Sequence, residues 1–91
     1  INPKFAKAYN NLGNILKDQN LHLDAIKNYK EAIKIDSSLA EIHNNLGNAL
    51  SDINKIDEAI KSLKKAIEID PKYYDAFNNL GNLYSKKKTF N

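Results

Sequence analysis

The sequence repeats itself every 34 residues, and this period constrains the fold more than any other feature. An aromatic residue or histidine followed by Asn-Asn-Leu-Gly-Asn begins at Tyr9, His43 and Phe77. Residues 6–39 and 40–73 agree at seventeen of thirty-four positions without a gap. Such a period is typical of proteins built from stacked units. We therefore expect a segment of a longer protein with two complete units, 6–39 and 40–73. Residues 1–5 are then the tail of a preceding unit, and residues 74–91 are the first half of a third.

Each unit has the pattern of two helices joined by a short polar turn. In the second unit Leu39, Ile42, Leu46 and Leu50 recur at helical spacing, and residues 57–69 show the same period. Three start signals support this: Asn2-Pro3, Asp70-Pro71 with proline at the first helical position, and a capping box of Ser38 and Glu41. We expect five helices, near residues 4–19, 23–35, 38–53, 57–69 and 72–87.

Glycine recurs in the middle of the first helix of each unit, where it costs about 1 kcal/mol relative to alanine. Close approach of the second helix would explain this cost, and small residues on that helix serve the same packing. The predicted structural residues are Gly13, Gly47, Gly81, Leu12, Leu46, Leu80, Ala25, Ala32, Ala59, Ala66 and Pro71.

These motifs resemble the tetratricopeptide repeat (TPR), a helix-turn-helix unit of 34 residues. The departures are mild: His43 stands at an aromatic position, Leu63 where the first unit has Tyr29, and Ser37 where proline is usual. The resemblance implies an all-α solenoid of antiparallel helix pairs, wound into a right-handed superhelix of about 2.5 repeats. It also implies that the first helices line a concave surface.

Nine asparagines occupy that side of the first helices. A helical wheel places Tyr9, Leu12, Ile15 and Leu16 on the buried arc and the asparagines opposite them. A carboxamide offers one donor and one acceptor group, as a peptide unit does, so it can bind a main chain without reading side chains. We expect all nine to point into a peptide-binding groove: Asn10, Asn11, Asn14, Asn44, Asn45, Asn48, Asn78, Asn79 and Asn82.

This row is similar to the asparagine ladder of the O-linked N-acetylglucosamine transferase (OGT) repeat domain. That resemblance implies that Asn11, Asn45 and Asn79 form the ladder and that the segment recruits polypeptide substrates for a glycosyltransferase domain elsewhere in the protein. We expect Asn45→Ala to spare folding. Two alternatives stay open, namely that the asparagines are ordinary solvated groups, or that the segment is a scaffold that joins subunits through helix faces.

Chaperone adaptors of the same family hold an acidic carboxyl terminus with a clamp of asparagines, lysines and arginine. Asn14 and Asn45 match the clamp asparagines. Asn10, Asp75 and Asn79 stand where two lysines and the arginine are required. This sequence therefore departs from the clamp at all its basic positions.

Charge and composition exclude several function classes. Fourteen lysines and no arginine stand against eleven acidic residues and leave a net charge of +3, which is too weak a signal for a nucleic-acid or membrane partner. The absence of cysteine excludes disulfides and zinc-cysteine sites, and the two histidines, His22 and His43, have no metal-ligand spacing. We expect no catalytic site, cofactor or metal, and a cytoplasmic or nuclear location.

Two further surfaces are expected. The second helices carry lysines on the convex side, which we interpret as a solvated face, with a strip that follows phosphates as the alternative: Lys27, Lys30, Lys34, Lys61, Lys64 and Lys65. At the carboxyl end the last helix acts as a cap. It leaves parts of Leu80, Tyr84 and Phe90 uncovered, so we expect end-to-end association or helix exchange.

Overall fold

The computed structural model describes the backbone of residues 3–90 and the side chains of residues 4–88. Within this range the chain forms five α-helices and no strand, as predicted: α1 (Pro3–Asp18), α2 (His22–Ile35), α3 (Ala40–Asp52), α4 (Ile56–Ile69) and α5 (Tyr74–Phe90). The predictions for Asn2, for the side chain of Phe90 and for Asn91 fall outside the described residues. None of the helices in residues 3–90 is long and apolar enough to span a membrane.

The connections between units are aspartate turns rather than the predicted caps. Asp36 Oδ1 accepts hydrogen bonds from the Ser38 backbone N–H at 2.9 Å and its hydroxyl at 2.6 Å, which lower the Asp36 pKa. The predicted capping box is therefore wrong, because the Ser38 hydroxyl is engaged by Asp36 and α3 begins only at Ala40.

The equivalent turn of the next unit also displaces the predicted helix start. Asp70 Oδ1 accepts a hydrogen bond from the Lys72 N–H at 3.0 Å, so Pro71 lies in a turn. The prediction that Pro71 occupies the first helical position is wrong, since α5 begins at Tyr74.

Asparagines also form the turns within each unit. Asn20 and Asn54 occupy equivalent positions and adopt φ angles of 63° and 64°, the left-handed conformation that asparagine tolerates better than most residues. The following amides donate back to the ends of the first helices, Leu21 to the Leu16 carbonyl and Lys55 to the Leu50 carbonyl, each at 2.9 Å. This arrangement reverses the chain and sets the two helices of a unit antiparallel.

Helix pairs within a unit pack most extensively, and glycine permits this in the two complete pairs. A Cβ atom on Gly13 would lie 2.6 Å from Tyr29 Cε1, and one on Gly47 would lie 2.8 Å from Leu63 Cγ. The close-approach prediction is confirmed at these two positions. For Gly81 it stays a prediction, because the described residues contain no second helix of the third unit, and no packing atom lies within 4 Å of the would-be Cβ.

The core of the described residues combines fully buried alanines with a few large side chains. Ala25, Ala32, Ala59 and Ala66 are fully buried, and the largest fully buried side chains are Tyr29, Ile42 and Leu63.

The first unit contradicts the helical wheel. Leu12 is 44% exposed and Ile15 is 54% exposed, whereas the equivalent Leu46 is 6% exposed. α3 packs against α2 on the side that α1 leaves open. The same apolar pattern is therefore buried only where a neighbouring helix covers it.

Candidate peptide-binding surface

The first helices of successive units lie on the inner side of the solenoid. α3 contacts both α1 and α5 directly, while no described Cα atom of α2 lies within 8 Å of one of α4. The stack must therefore curve with α1, α3 and α5 inside. We call the surface formed by these three helices the concave face, and it is where the sequence placed the asparagine row.

Two asparagine pairs join consecutive first helices across the concave face. Asn45 Nδ2 donates to Asn10 Oδ1 at 3.0 Å, and Asn79 Nδ2 donates to Asn44 Oδ1 at 3.1 Å. The two acceptor residues are each 5% exposed. One equivalent hydrogen bond therefore links α1 to α3 and α3 to α5.

This arrangement corrects the prediction for Asn10 and Asn44, which do not point openly into a groove. They lie at the seam between neighbouring first helices, where burial of an unpaired amide would be unfavourable. A helical wheel gives the angular positions of side chains around one helix axis. It does not show whether an adjacent helix covers them.

Additional polar groups complete the seam. Asn10 Nδ2 donates to Glu41 Oε1 at 3.4 Å. At the equivalent place in the next unit, the Asn44 side chain forms a hydrogen bond to the Tyr73 hydroxyl, which lowers the Tyr73 pKa. Burial, followed by the charges of Glu41 and Asp75, outweighs this effect and raises the Tyr73 pKa. The Asn10 and Asn44 amides are thus tied to neighbours in both seams and are unsuited to a visiting ligand.

Asn14 is held by the core of its own unit. The Tyr29 hydroxyl donates to Asn14 Oδ1 at 2.5 Å, and the Tyr29 side chain is fully buried. Burial, followed by the charges of Asp18 and Asp52, raises the Tyr29 pKa to about 12. The phenol therefore remains a donor at neutral pH, fixes the Asn14 amide and leaves Asn14 Nδ2 for another acceptor.

The remaining asparagines are the accessible ones. Asn11, Asn78 and Asn82 are exposed and Asn48 is half-buried. No hydrogen bond within the described residues involves the side chains of these four. The Oδ1 atoms of Asn45 and Asn79 add acceptors, because both residues use Nδ2 in the seam.

Two cavities open on the concave face. One of about 320 Å³ lies between α3 and α5 and is lined by Asn48, Ser51, Asn79, Asn82, Leu83 and Lys86. The other, of about 400 Å³, lies between α1, the start of α3 and the turn before α5, and its polar lining consists of Lys7, Asn10, Asn11, Glu41, Asp70 and Tyr73. Both combine carboxamides with a lysine, so they offer donors and acceptors to a polar ligand.

A contact of Asp52, the last residue of α3, with Lys17 of α1 and His22 of α2 was not predicted from the sequence. Lys17 Nζ lies 4.0 Å from Asp52 Oδ2, and His22 Nδ1 lies 3.6 Å from the same oxygen. The helical positions of Lys17 and Asp52 in consecutive units could have indicated this contact. No group of three or more His, Cys, Asp or Glu residues among those described is arranged to hold a metal ion.

Apolar side chains are exposed at both ends of the stack. At the carboxyl end Tyr84 is 45% exposed and Leu80 is half-buried. The corresponding face of α1 was not predicted from the sequence: Phe5 is 59% exposed there, beside the exposed Tyr9 and Leu12. His43, which is equivalent to Tyr9, is 8% exposed with Nε2 3.0 Å from the Ser37 carbonyl oxygen, as expected for a packed residue.

Comparisons with known proteins agree with this architecture. A family model described as "TPR repeat" matches residues 14–53 and 47–88. No curated protein shows significant sequence similarity to this chain.

Three solved structures illustrate the structural similarity. The second TPR of Spaghetti (RPAP3), bound to the HSP90 peptide SRMEEVD, has a TM-score of 0.92 at 26% identity, over 96% of this chain and 81% of that chain. MamA has a TM-score of 0.89 at 31% identity over 96% of this chain, which corresponds to 51% of the MamA chain. The Arabidopsis OM64 TPR domain has a TM-score of 0.93 at 22% identity, over 97% of this chain and 73% of that domain.

Proposed function

This chain belongs to the tetratricopeptide repeat family, and we propose that it is a protein-interaction module that binds an extended peptide on its concave face. The observation that carries this proposal is the set of unpartnered carboxamides beside the asparagine seam. Asn48 and Asn82 line one cavity with Ser51 and Lys86, and Asn11 lines the other. A peptide main chain presents the complementary groups.

The spacing of the helices suits an extended guest. Packed helices lie about 8–10 Å apart and an extended chain rises about 3.3 Å per residue, so each unit meets about three guest residues. The asparagine seam supports this proposal indirectly, because it holds neighbouring first helices at a fixed offset. Guest binding then requires little reordering of the groove.

The structure also reduces the number of contacts that the sequence suggested. With Asn10 and Asn44 engaged in the seam, only a few amides remain per unit. At about 0.5–1.5 kcal/mol for each hydrogen bond, we expect millimolar affinity for a short peptide. Useful affinity would need more units or a second contact surface.

A carboxylate clamp is less well supported than main-chain contact. One structural relative is bound to the HSP90 peptide SRMEEVD, which ends in acidic residues. At the positions of the clamp cations this chain has a buried Asn10, an exposed Asp75 and Asn79 bonded to Asn44. Asp75 would repel an incoming carboxylate, so we propose binding through the main chain.

The experiment is a ¹⁵N NMR titration with SRMEEVD in its free-acid and amidated forms. We expect side-chain amide shifts for Asn11, Asn48 and Asn82, with affinities of the two peptide forms within about twofold. In a variant with both Asn48→Ala and Asn82→Ala, the peptide should no longer shift the side-chain amide signal of Asn11. Asn28→Ala, which removes a carboxamide on α2, is the control and should leave the Asn11 shift unchanged.

Two results would contradict the proposal. If the free acid binds more than about tenfold tighter than the amide, recognition is by a carboxylate clamp. If neither peptide moves a concave-face signal, the groove does not bind peptides and the scaffold function gains support.

The scaffold candidate is favoured by the apolar faces at both ends. Phe5 on α1 and Tyr84 on α5 are exposed on faces that carry further apolar residues. Exposed apolar faces of this kind are typical binding surfaces for other proteins, and a second copy of this chain is one candidate partner. A molar mass that stays monomeric by light scattering at high protein concentration would argue against self-association.

The OGT-like role remains a prediction from the asparagine row. Its support is the shared register of Asn11, Asn45 and Asn79 on successive first helices. Asn45 and Asn79 retain Oδ1 for a guest, and Asn11 retains its whole carboxamide. A glycosyltransferase domain in the same protein would be expected under this proposal.

A further inference from the structure

A second groove lies on the opposite, convex side of the solenoid, between α2 and α4. No described Cα atom of α2 lies within 8 Å of one of α4, so a gap separates the two helices. His43 and Leu46 of α3 line the floor of this gap. Ile33 of α2 extends the apolar floor. The cavity measures about 640 Å³, which exceeds the 320 and 400 Å³ of the two concave cavities. We call it the convex groove.

Lysines surround this apolar floor. The lining includes five lysines and a single carboxylate, Glu68: Lys30, Lys34, Lys61, Lys64 and Lys65. Lys34 pairs with Glu31 at 3.7 Å, and Lys65 pairs with Glu68 at 3.6 Å. The rim therefore keeps an excess of positive charge.

Two of the rim lysines, one from each helix that borders the groove, have no carboxylate partner within the described residues. Lys30 on α2 and Lys61 on α4 are exposed and form no ion pair within the described residues. Lys64 Nζ lies 6.0 Å from the centre of the Tyr84 ring and is similarly unpaired with any described carboxylate. The rim charges therefore stay available to a negatively charged ligand.

We propose that the convex groove binds an acidic peptide segment that inserts large apolar side chains between its carboxylates. The apolar floor matches the buried anchor residues of a peptide, and the lysine rim matches acidic residues on both sides of the anchors. A nucleic acid fits less well, because phosphates gain nothing from an apolar floor and the sequence has no arginine. This site is separate from the concave face and makes the chain able to hold two peptide segments.

Fluorescence anisotropy with a labelled peptide of sequence EELEEEFEEE tests the proposal. A second labelled peptide has serine in place of leucine and phenylalanine, and a short oligothymidylate is the third probe. We expect the apolar peptide to bind the 91-residue chain about tenfold more tightly than the serine peptide, because only the former reaches the floor. It should also bind more tightly than the oligonucleotide.

Charge reversal locates the binding. Lys30→Glu combined with Lys61→Glu should weaken binding of the apolar peptide by about tenfold or more. Lys72→Glu combined with Lys88→Glu makes the same change in net charge at two exposed lysines outside both grooves and should weaken binding less than about twofold. Thermal unfolding followed by circular dichroism verifies that both variants remain folded.

Each opposite result overturns the proposal. Equal weakening in the two double variants would mean non-specific attraction, and greater weakening by the Lys72 and Lys88 pair would place the peptide outside the convex groove. Equal affinity for the serine peptide would show that the floor is not used. Tighter binding of the oligonucleotide would identify a phosphate-binding surface instead.

Discussion

Asn45 donates a hydrogen bond to Asn10 at 3.0 Å, and the two residues stand at neighbouring positions of the repeated motif in consecutive units. The pair recurs as Asn79 and Asn44 at 3.1 Å. The Asn-Asn dipeptide of the motif therefore serves two purposes. Its first residue is buried in the seam where a following unit covers it, as at Asn10 and Asn44, and its second residue donates to the seam where a unit precedes it, as at Asn45 and Asn79.

Substitution of Asn45 should destabilise the protein, contrary to the expectation from sequence. Asn45→Ala leaves Asn10 Oδ1 without its donor at a site that is 5% exposed. We expect a loss of about 1–3 kcal/mol in the free energy of unfolding, measured by urea denaturation. Asn11→Ala is the matched control, because Asn11 holds the same repeat position but is exposed, and it should cost less than about 0.5 kcal/mol. Equal costs for the two variants would show that the seam hydrogen bond contributes nothing.

The repeated glycines should respond to alanine with opposite signs. At Gly47 a new Cβ would lie 2.8 Å from Leu63 Cγ and 3.2 Å from the Ala59 carbonyl oxygen, so Gly47→Ala should cost about 1–3 kcal/mol through overpacking. At Gly81 there is open space, and Gly81→Ala should stabilise by about 0.5–1 kcal/mol through helix propensity. Thermal and urea unfolding of both variants measure these changes. Destabilisation by Gly81→Ala would indicate that α5 has a partner surface in solution.

Leucines at the same repeat position should differ in their contribution to stability. Leu46 is 6% exposed, so Leu46→Ala should cost about 2–5 kcal/mol by opening a cavity. Leu12, its equivalent in the first unit, is 44% exposed, and Leu12→Ala should cost less than about 1 kcal/mol. Chemical denaturation of the two variants provides the comparison. A large cost at Leu12 would imply that self-association covers α1.

Stability should fall at alkaline pH because of Tyr29. Burial raises the pKa of Tyr29 from 10.0, the ordinary value of a tyrosine, to about 12 in the folded protein, so the phenol ionises more easily in the unfolded chain. The stabilisation is therefore complete below pH 10 and is lost as the pH rises towards 12, by as much as about 3 kcal/mol.

The measurement for Tyr29 is the difference in unfolding free energy between the wild type and Tyr29→Phe as a function of pH. Phenylalanine keeps the ring that packs against Gly13 but has no ionisable hydroxyl. Below pH 10 the variant should be less stable by about 0.5–1.5 kcal/mol because it lacks the hydrogen bond to Asn14, and this difference should shrink as the pH rises and reverse its sign towards pH 12. A constant difference up to pH 12 would contradict the assigned pKa.

The sequence by itself determined the helices, their pairing within a unit and the need for small residues between them. A 34-residue period with helical spacing requires each unit to bury its apolar side against a neighbour, and glycine at positions 13 and 47 indicates where helices approach. These features depend on residues close in the chain or repeated along it. The left-handed turns at Asn20 and Asn54 could have been predicted in the same way, because asparagine recurs there.

Only the tertiary structure decided which surfaces are open. Asn10 and Asn11 are adjacent in sequence, yet the first is buried beneath α3 and the second is exposed. Leu12 and Leu46 are equivalent in sequence, yet only the second is covered. In both cases the position of a neighbouring helix determines the burial and the hydrogen bonding of the side chain. The residue pattern along a single helix does not contain that position.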